Sequence, residues 1–305
     1  MLAIVCPGQG SQTPGFLAPW IEDPAVAAHL KSLSEPVGRD LTALGTEADE
    51  ETIKDTAVAQ PLIVAAGLIT ARALFLDELP AAAIVAGHSV GEITAAALTG
   101  TLDEADAMAF VTRRAEGMAA AAAQTPTGMS AVLGGDPDEV RAAIVAAGLT
   151  PANENGGGQI VAAGSLEDLA ALAENPPAKT RVIPLKVAGA FHTEYMAPAV
   201  PALQEFAAGL APADPARTLL SNHDGAAVAQ GSAFLSSLVE QVTRPVRWDL
   251  CEQSMLEAGV TGLLEVAPAG TLTGLAKRGM KGVKSFALKT PDQLDEARAF
   301  VADHA

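Results

Sequence analysis

The stretch AIVAGHSVGEITAAAL, residues 83–98, constrains the fold of this chain more than any other. It begins with a short apolar run, passes through the pentapeptide GHSVG at residues 87–91 and ends in helix formers. Short apolar runs stopped by glycine are typical of parallel β-strands that are buried on both faces. The stretch therefore predicts a strand and a helix joined by a tight turn, with a serine at its apex, in an α/β fold.

Two roles are open to Ser89 at this turn. The pattern G-x-S-x-G between a strand and a helix is typical of a nucleophile elbow, in which small glycines let the strand and helix approach while the serine projects outward. The helix N-terminus also offers unpaired N–H groups that stabilise an oxyanion. Serine is also a frequent N-cap of helices. The pentapeptide alone does not separate these roles, and its strand-and-helix context favours the nucleophile.

Alternating strand and helix patterns extend along most of the chain. Residues 2–6 form another short apolar run, and residues 103–124 carry a long helical pattern. In residues 125–190 the order strand, helix, strand, helix, strand occupies a segment the size of a small α/β domain. The sequence thus predicts a parallel-sheet domain formed by residues 1–124 and 191–305, with residues 125–190 inserted as a second domain.

Composition and charge exclude several classes of function. The 305 residues are 49% hydrophobic and carry a formal net charge of -17, so repulsion disfavours binding to nucleic acid or to an anionic membrane. Cys6 and Cys251 are too few for a disulfide framework, and no metal-ligand spacing surrounds them. The apolar run at residues 61–75 includes Arg72 and predicts a buried helix rather than a membrane span. We expect a cytoplasmic protein, because the first residues lack the basic segment of a signal peptide.

A nucleophilic serine needs a general base, and the chain has five histidines. His304 is expected in a frayed tail and His29 on a surface helix, so both are predicted to be solvated. His88 adjoins the serine, but neighbours on a tight turn point apart, and we expect it to have a packing role. His223 lies in SNHDG, a turn composition in which histidine is usually exposed. His192 remains as the candidate base, although taken alone it is equally consistent with a structural histidine.

Eight short motifs occur in one order along nearly the whole chain. They are PGQGSQTPG, AQPL, GHSVGE, RxxxM, GQIVAAG, GAFHT, RPVRW and GTLTGLAKR. Together they resemble the malonyl-CoA:acyl carrier protein transacylases of bacterial fatty acid and polyketide synthesis. The sequence as a whole is most similar to the actinobacterial type. The resemblance implies an α/β-hydrolase-like parallel-sheet domain with an inserted ferredoxin-like subdomain, in agreement with the insertion predicted above.

The resemblance also implies a covalent mechanism carried by five residues. Ser89 would attack the thioester of malonyl-CoA, and His192 would take its proton and later deprotonate the incoming thiol. The backbone carbonyl of Gln241 would orient the histidine in place of the aspartate of a Ser-His-Asp triad. The backbone N–H groups of Gln9 and Val90 would form the oxyanion hole. The implied reaction is a ping-pong transfer to the phosphopantetheine thiol of acyl carrier protein, without a metal or an organic cofactor.

Five further residues are implied to bind the substrate. Arg114 would hold the free carboxylate of the malonyl group with its planar guanidinium, and the spacing to Met118 favours Arg114 as the arginine of the motif. Phe191 would crowd an α-methyl group and so disfavour methylmalonyl. Asn153 and Asn155 match asparagines that line the family's site. The alternatives are a solvated surface arginine at position 114 and an ordinary loop around the two asparagines.

The sequence departs from the family pattern in places and raises a question of charge. Ala115 follows the arginine where the family usually has glycine, with Arg113 as an adjacent competitor, and Arg244 stands where the family commonly has asparagine. Acyl carrier protein is acidic, so a chain of net charge -17 needs a local basic patch to bind it. The candidates, which serve equally well as scattered solubilising charges, are Lys179, Arg181, Lys186, Arg244 and residues 276–284.

Two other functions share part of this pattern. A serine esterase or thioesterase would use the same elbow and base but usually recruits a carboxylate, for which Asp138 and Asp168 are candidates, although both lie in the predicted insert. A noncatalytic module that docks the carrier protein is the alternative from another class. The sequence does not distinguish fatty acid from polyketide synthesis.

Overall fold

The computed structural model describes residues 1–76 and 78–305, and within them ten strands and thirteen α-helices form two sheets with helices packed around them. The strands are β1 (Leu2–Cys6), β2 (Ile84–Gly87), β3 (Thr127–Gly134), β4 (Thr150–Glu154), β5 (Gln159–Ser165), β6 (Thr180–Pro184), β7 (Thr218–Leu220), β8 (Val246–Arg247), β9 (Gly262–Glu265) and β10 (Lys284–Ala287). The helices are α1 (Pro24–Val37), α2 (Leu41–Thr46), α3 (Glu50–Lys54), α4 (Thr56–Phe75), α5 (Gly91–Leu98), α6 (Glu104–Ala122), α7 (Pro137–Ala146), α8 (Leu166–Glu174), α9 (Val200–Ala207), α10 (Gly231–Glu240), α11 (Trp248–Glu257), α12 (Thr271–Gly279) and α13 (Leu294–His304).

The first sheet is parallel throughout, with strand order β10-β9-β1-β2-β7. All of β1 is buried because the sheet is covered on both faces. Leu2, Ile4 and Cys6 pack into one hydrophobic core, whereas Ala3 and Val5 pack into another. A strand that points alternate side chains into two cores needs an unbroken apolar run, which is what the sequence contains. The predicted α/β class is confirmed.

Helix α4 is the apolar segment that the sequence predicted as a buried helix. By length and composition it is the one helix among residues 1–76 and 78–305 that could cross a membrane, but 83% of its most apolar stretch is buried inside the fold. It packs against α5 and α6 in the larger core. The helix is apolar on every side because protein surrounds it. The prediction of a buried helix is confirmed.

The second sheet comes mainly from the predicted insert, in the order β6-β3-β5-β4-β8. Residues 127–184 run strand, helix, strand, strand, helix, strand, and the four strands pair antiparallel. β4 was not predicted, because Pro151 and Asn153 make its sequence resemble a loop; it forms by pairing with β5 and, through Asn153 and Val246, with β8. β8 belongs to the chain after the insert, so this sheet joins the two predicted domains. The ferredoxin-like class and the limits 125–190 stay predictions.

The C-terminal helix corrects one expectation. A capping box formed by Thr290 and Gln293 lies before α13. His304, however, is buried rather than solvated. Its Nδ1 lies 2.9 Å from Oγ1 of Thr261, and its ring stacks at 4.6 Å on the ring of Phe300. The last turn of α13 packs over the start of β9, so the helix does not fray as a free end.

Candidate active site

The turn between β2 and α5 holds Ser89 in a left-handed backbone conformation, with φ of 53°. A Cβ on Gly87 would lie 2.0 Å from the backbone carbon of Gly91, and a Cβ on Gly91 would lie 2.1 Å from the carbonyl oxygen of Cys6. Only glycine fits at these two positions, because the strand and the helix are in backbone contact. Val90 is the N-cap residue of α5, and no side chain caps this helix. Ser89 therefore does not serve as an N-cap, and its hydroxyl is free for other contacts.

His192 lies directly against this serine. Ser89 Oγ is 2.7 Å from His192 Nε2, and His192 Nδ1 is 2.8 Å from the backbone carbonyl oxygen of Gln241. Burial, together with the nearby positive charge of Arg114, lowers the pKa of His192 to about 3. The imidazole is thus neutral, with Nδ1–H donating to the carbonyl and Nε2 accepting from the serine hydroxyl. This pair has the geometry of an activated nucleophile and its base.

The guanidinium of Arg114 is buried behind the serine and is not a solvated surface group. Its Nη1 donates to Oε1 of Gln60 at 2.7 Å, and its Nη2 donates to Oε1 of Gln241 at 2.8 Å. Nη2 also lies 3.3 Å from Ser89 Oγ. Burial lowers the pKa of Arg114 to about 10, so the group remains a cation at neutral pH. Arg113, the adjacent competitor, is exposed and lies over the ring of Phe206 instead.

A cavity of about 310 Å³ opens beside the serine and the histidine. It is bounded by the loop after β1, the elbow, the second sheet and the start of α12. Arg114 and Gln241 do not line it, but both contact residues that do. Of the residues predicted from the sequence, the cavity is lined by Gln9, Ser89, Val90, Met118, Asn153, Asn155, Phe191 and His192.

Two backbone N–H groups at the mouth of the elbow have no acceptor among the described residues. They belong to Gln9 and Val90, which the sequence predicts as the oxyanion hole. The loop that carries Gln9 is tied to the elbow, because the N–H of His88 donates to the carbonyl of Cys6 at 3.0 Å. A Cβ on Gly8 would lie 2.9 Å from the carbonyl oxygen of His88, so the two loops touch. Donors placed this way are free to bind an oxyanion.

The second sheet supplies the polar wall of the cavity. Oδ1 of Asn155 accepts from Nε2–H of His88 at 2.8 Å, and Nδ2 of Asn155 donates to Oε1 of Gln159 at 2.8 Å. Asn153 is buried on β4. His88 is packed as expected, with its ring 5.7 Å from the ring of Trp248. The asparagines thus lie on and directly after an ordered strand, and the loop alternative is wrong for Asn153.

The apolar wall holds Phe191 and Met118. Phe191 is buried next to His192, whose backbone is also left-handed, with φ of 62°. The sulfur of Met118 accepts a weak hydrogen bond at 3.6 Å from Nε2 of Gln60. Met118 and Arg114 lie one turn apart on α6, and Gln60 contacts them with opposite ends of its side-chain amide.

The carboxylates considered for an esterase lie elsewhere. Asp138 pairs with Arg141 on α7, and Asp168 bonds to Ser165 at the start of α8. The ring nitrogen of His192 that an aspartate would hold is bonded to a backbone carbonyl. No three His, Cys, Asp or Glu side chains in residues 1–76 and 78–305 are grouped closely enough to bind a metal ion.

Comparisons with known proteins agree with this geometry. Residues 3–300 match the acyl transferase domain family. The chain is 52% identical over 298 residues to the malonyl CoA-acyl carrier protein transacylase of Mycobacterium tuberculosis H37Rv, covering 97% of this chain and 99% of that protein. The chain belongs to the malonyl CoA-acyl carrier protein transacylase family. It is also 33% identical to the Escherichia coli K12 transacylase over 302 residues, covering 97% and 98% of the two chains.

Solved structures of transacylases have the same fold. The crystal structure of MCAT from Mycobacterium tuberculosis superposes with a TM-score of 0.92 at 52% identity, over 98% of this chain and 99% of that one. A malonyl-transacylase in complex with its type II PKS acyl-carrier protein, PlMCAT:AntF, superposes with a TM-score of 0.90 at 30% identity, over 98% and 99% of the two chains. The α/β fold class and the family predicted from the sequence are therefore confirmed.

This member of the transacylase family also buries polar residues around the site that the sequence did not predict. Glu92 accepts from the backbone N–H of Asn222 at 2.6 Å and from Nε2 of Gln241. Burial raises the pKa of Glu92 to about 8. Asn222 accepts from the N–H of Ser89 at 2.8 Å and donates to the carbonyl of Gly87 at 2.7 Å. A glutamate directly after the elbow pentapeptide and an asparagine shortly after a buried strand were the available signals.

At the two departures from the transacylase pattern, neither side chain bonds to the buried polar residues around the site. Ala115 is buried on α6 and fits there without a polar contact. Arg244 pairs with Glu240 at 2.8 Å, and its backbone N–H donates at 3.2 Å to the same Gln241 carbonyl that His192 uses. The Arg244 side chain is half-exposed and points away from the cavity lining.

Proposed function

We propose that this chain transfers malonyl from malonyl-CoA to the phosphopantetheine thiol of acyl carrier protein through a malonyl-serine intermediate. The observation that carries this proposal is a buried arginine whose guanidinium lies 3.3 Å from the oxygen of a serine that is itself 2.7 Å from a neutral histidine. The pair Ser89 and His192 supplies a nucleophile and a base, and Arg114 supplies a cation for an acyl group with a free carboxylate.

In the first half-reaction, Ser89 Oγ attacks the thioester carbonyl of malonyl-CoA. His192 Nε2 takes the hydroxyl proton, and the Gln241 carbonyl holds the Nδ1–H of the resulting imidazolium. The N–H groups of Gln9 and Val90 bind the oxyanion that forms. Collapse of this intermediate breaks the carbon–sulfur bond, the imidazolium returns the proton to the sulfur, and coenzyme A leaves as a thiol.

The second half-reaction repeats these steps with a different thiol. His192 Nε2 deprotonates the phosphopantetheine thiol of acyl carrier protein, and the thiolate attacks the ester carbonyl on Ser89. The same two N–H groups hold the oxyanion. When the ester bond breaks, the proton passes from the histidine to the serine oxygen. Each proton transfer uses a side chain of this protein, so the proposed route includes no metal and no organic cofactor.

Selectivity for malonyl follows from the walls of the cavity and from the guanidinium of Arg114, which lies behind Ser89. Arg114 pairs with the free carboxylate, because a guanidinium offers parallel N–H donors that match its two oxygens. Phe191 and Met118 form the apolar side next to the reacting carbon, so an α-methyl group meets the aromatic ring. Asn153 and Asn155 offer polar contacts on the opposite side.

The partner and the location follow from the proposed substrates. Malonyl-CoA and phosphopantetheinylated acyl carrier protein are the two substrates, and we propose a cytoplasmic location. The carrier protein would dock at the cavity mouth through local basic residues, since the net charge of -17 repels an acidic partner at long range. Fatty acid and polyketide synthesis both use the proposed product.

Intact-mass measurement tests the proposal. Incubation with malonyl-CoA is expected to add about 86 Da, the mass of the acyl group, and peptide mapping is expected to place it on Ser89. Ser89→Ala should show no adduct. Addition of the carrier protein should then move the acyl group to its thiol. Hydrolysis to free malonate without transfer would instead indicate a thioesterase, and the absence of any adduct or turnover with malonyl-CoA would indicate a docking module.

A further inference from the structure

Glu92 is a buried carboxylate next to the reacting residues that the route above does not use. It lies on the first turn of α5, three residues after the serine, and it is 1% exposed. Each carboxylate oxygen has one partner: Oε1 accepts from the backbone N–H of Asn222 at 2.6 Å, and Oε2 accepts from Nε2 of Gln241. A buried carboxylate is costly unless its hydrogen bonds are filled, and both oxygens of Glu92 are filled here.

The two partners of Glu92 lead to different parts of the site. Asn222 holds the elbow, because its Oδ1 accepts from the N–H of Ser89 at 2.8 Å. Gln241 holds the arginine and the histidine, because its Oε1 accepts from Nη2 of Arg114 at 2.8 Å and its backbone carbonyl accepts from His192. Glu92 therefore contacts, through one intermediate residue each, the nucleophile and the cation.

The side chain of Gln241 has two orientations of nearly equal shape, which exchange its oxygen and its nitrogen. Arg114 is a donor only, so it needs the oxygen of the amide on its side. Above pH 8, where Glu92 is ionised, its carboxylate is an acceptor only, so it needs the nitrogen on the other side. Arg114 and the carboxylate of Glu92 therefore select the same orientation, in which Nε2 of Gln241 also donates to the carbonyl oxygen of Ser89 at 3.3 Å. A neutral residue in place of Glu92 would remove the charged acceptor from that selection.

We propose that Glu92 is a positioning residue that fixes the amide of Gln241 and thereby aims Arg114 at the carboxylate of the acyl group. The inference rests on the proposed function, because it assigns the selectivity of that reaction to a hydrogen-bonded series from Glu92 through Gln241 to Arg114. A residue with only a structural role would affect the loading of every acyl group alike. A positioning residue affects malonyl more than acetyl, since only malonyl uses the arginine.

Glu92→Gln tests this inference without changing the size of the side chain. The new amide must keep its oxygen toward the N–H of Asn222, which cannot turn, and so presents its nitrogen to Gln241. Gln241 then turns its own oxygen toward position 92 and its nitrogen toward Arg114, where two donors face each other. The malonyl-to-acetyl ratio of acyl-enzyme formation is expected to fall about tenfold to a hundredfold, the range for one hydrogen bond to a charged group.

The double variant Glu92→Gln with Gln241→Glu is the rescue. It exchanges the two side chains, so the amide at position 92 donates to the carboxylate at position 241, and that carboxylate accepts from Arg114. The backbone carbonyl that orients His192 is unchanged. We expect the malonyl-to-acetyl ratio to return to within about threefold of the wild type, because the double variant restores the hydrogen bond that Glu92→Gln removes.

The rates are measured with malonyl-CoA and acetyl-CoA by rapid quenching and intact mass, above pH 8 so that the carboxyl of Glu92 is ionised. Glu252→Gln is the matched control: Glu252 is also buried, but its Oε1 has no hydrogen-bond partner among the described residues, and its substitution should leave the ratio unchanged. Should Glu92→Gln fail to fold, Glu92→Asp replaces it, because the shorter carboxylate does not span both partners and should lower the same ratio.

Equal losses for both acyl groups in the Glu92 variant, or a double variant that does not recover the ratio, would overturn the inference. These outcomes are distinct from failure of the proposed function, in which the wild-type chain itself forms no malonyl adduct. The acyl-group ratio within one variant cancels the folded fraction, so a loss of stability alone does not imitate the expected result.

Discussion

Arg114→Ala tests the assignment of the substrate cation. The wild-type guanidinium is buried, donates to Gln60 at 2.7 Å and to Gln241 at 2.8 Å, and lies 3.3 Å from Oγ of Ser89, the proposed nucleophile. The substitution removes the cation and leaves two side-chain oxygens without their donor. Leaving one buried acceptor without its donor costs about 1–3 kcal/mol, so stability and selectivity must be measured separately.

The expected change in selectivity follows from the number of charged hydrogen bonds. A hydrogen bond to a charged group contributes about 1.5–3 kcal/mol, and a guanidinium binds a carboxylate through two such bonds. Acetyl has no carboxylate, so only malonyl loses this contribution of about 3–6 kcal/mol. At about 1.4 kcal/mol for each factor of ten, the malonyl-to-acetyl ratio should fall about 10²- to 10⁴-fold.

The assay compares rates of acyl-enzyme formation from malonyl-CoA and acetyl-CoA in the same preparation of Arg114→Ala. Arg113→Ala is the matched control, because the neighbouring side chain is exposed and lies over Phe206 on the other side of α6. The control ratio should stay within about twofold of the wild type. If Arg114→Ala also keeps the wild-type ratio within about twofold, the arginine does not bind the carboxylate and the assignment is wrong.

Three further predictions concern the elbow, the apolar wall and a buried acid. Gly91→Ala should lower the free energy of unfolding by more than about 4 kcal/mol, because its Cβ would lie 2.1 Å from a backbone oxygen, whereas Gly274→Ala on α12, with open space around it, should raise it by up to about 1 kcal/mol. Chemical denaturation measures both. Phe191→Leu should raise methylmalonyl loading relative to malonyl by about tenfold in the adduct assay, and an unchanged ratio would remove the ring from the selectivity argument. Burial raises the pKa of Glu252 to about 7, so the folded protein binds this proton more tightly than the unfolded chain does. The wild type therefore loses stability as pH rises from the unfolded pKa of 4.5 through 7. Glu252→Gln should therefore gain about 2 kcal/mol over the wild type between about pH 5 and pH 8.

Helices and strands were predicted correctly where the local sequence pattern determines the structure. The helical pattern of residues 103–124 ends within two residues of α6, because Asp103 caps it and its apolar face repeats at helical spacing. β4 was missed because its strand pairing, not its composition, makes it a strand: Pro151 and polar Asn153 are held between β5 and β8. Long-range pairing of this kind leaves little trace in a short window of sequence.

The same limit applies to the site. The nucleophile and the base were predicted because an elbow and a family motif mark Ser89 and His192 locally. Gln60, Glu92 and Asn222 reach the site through hydrogen bonds that join residues 54, 149 and 130 positions apart. Each of these side chains has an ordinary alternative in its own segment, so its role becomes visible only when the fold brings the partners together.

Ser89 and His192 have strained backbones, and the buried carboxyl group of Glu92 lies close to both. Ser89 and His192 both have positive φ, 53° and 62°, conformations that cost about 1–3 kcal/mol each in residues other than glycine. Asn222 and Gln241 hold them by hydrogen bonds, and both of these residues are in turn held by Glu92. A hydrophobic side chain at position 92 would avoid burying a charge, but it would leave the N–H of Asn222 without an acceptor and Nε2 of Gln241 with only the carbonyl oxygen of Ser89 at 3.3 Å. The unfavourable burial of this carboxylate is therefore better explained by the positioning of the two strained residues than by stability alone.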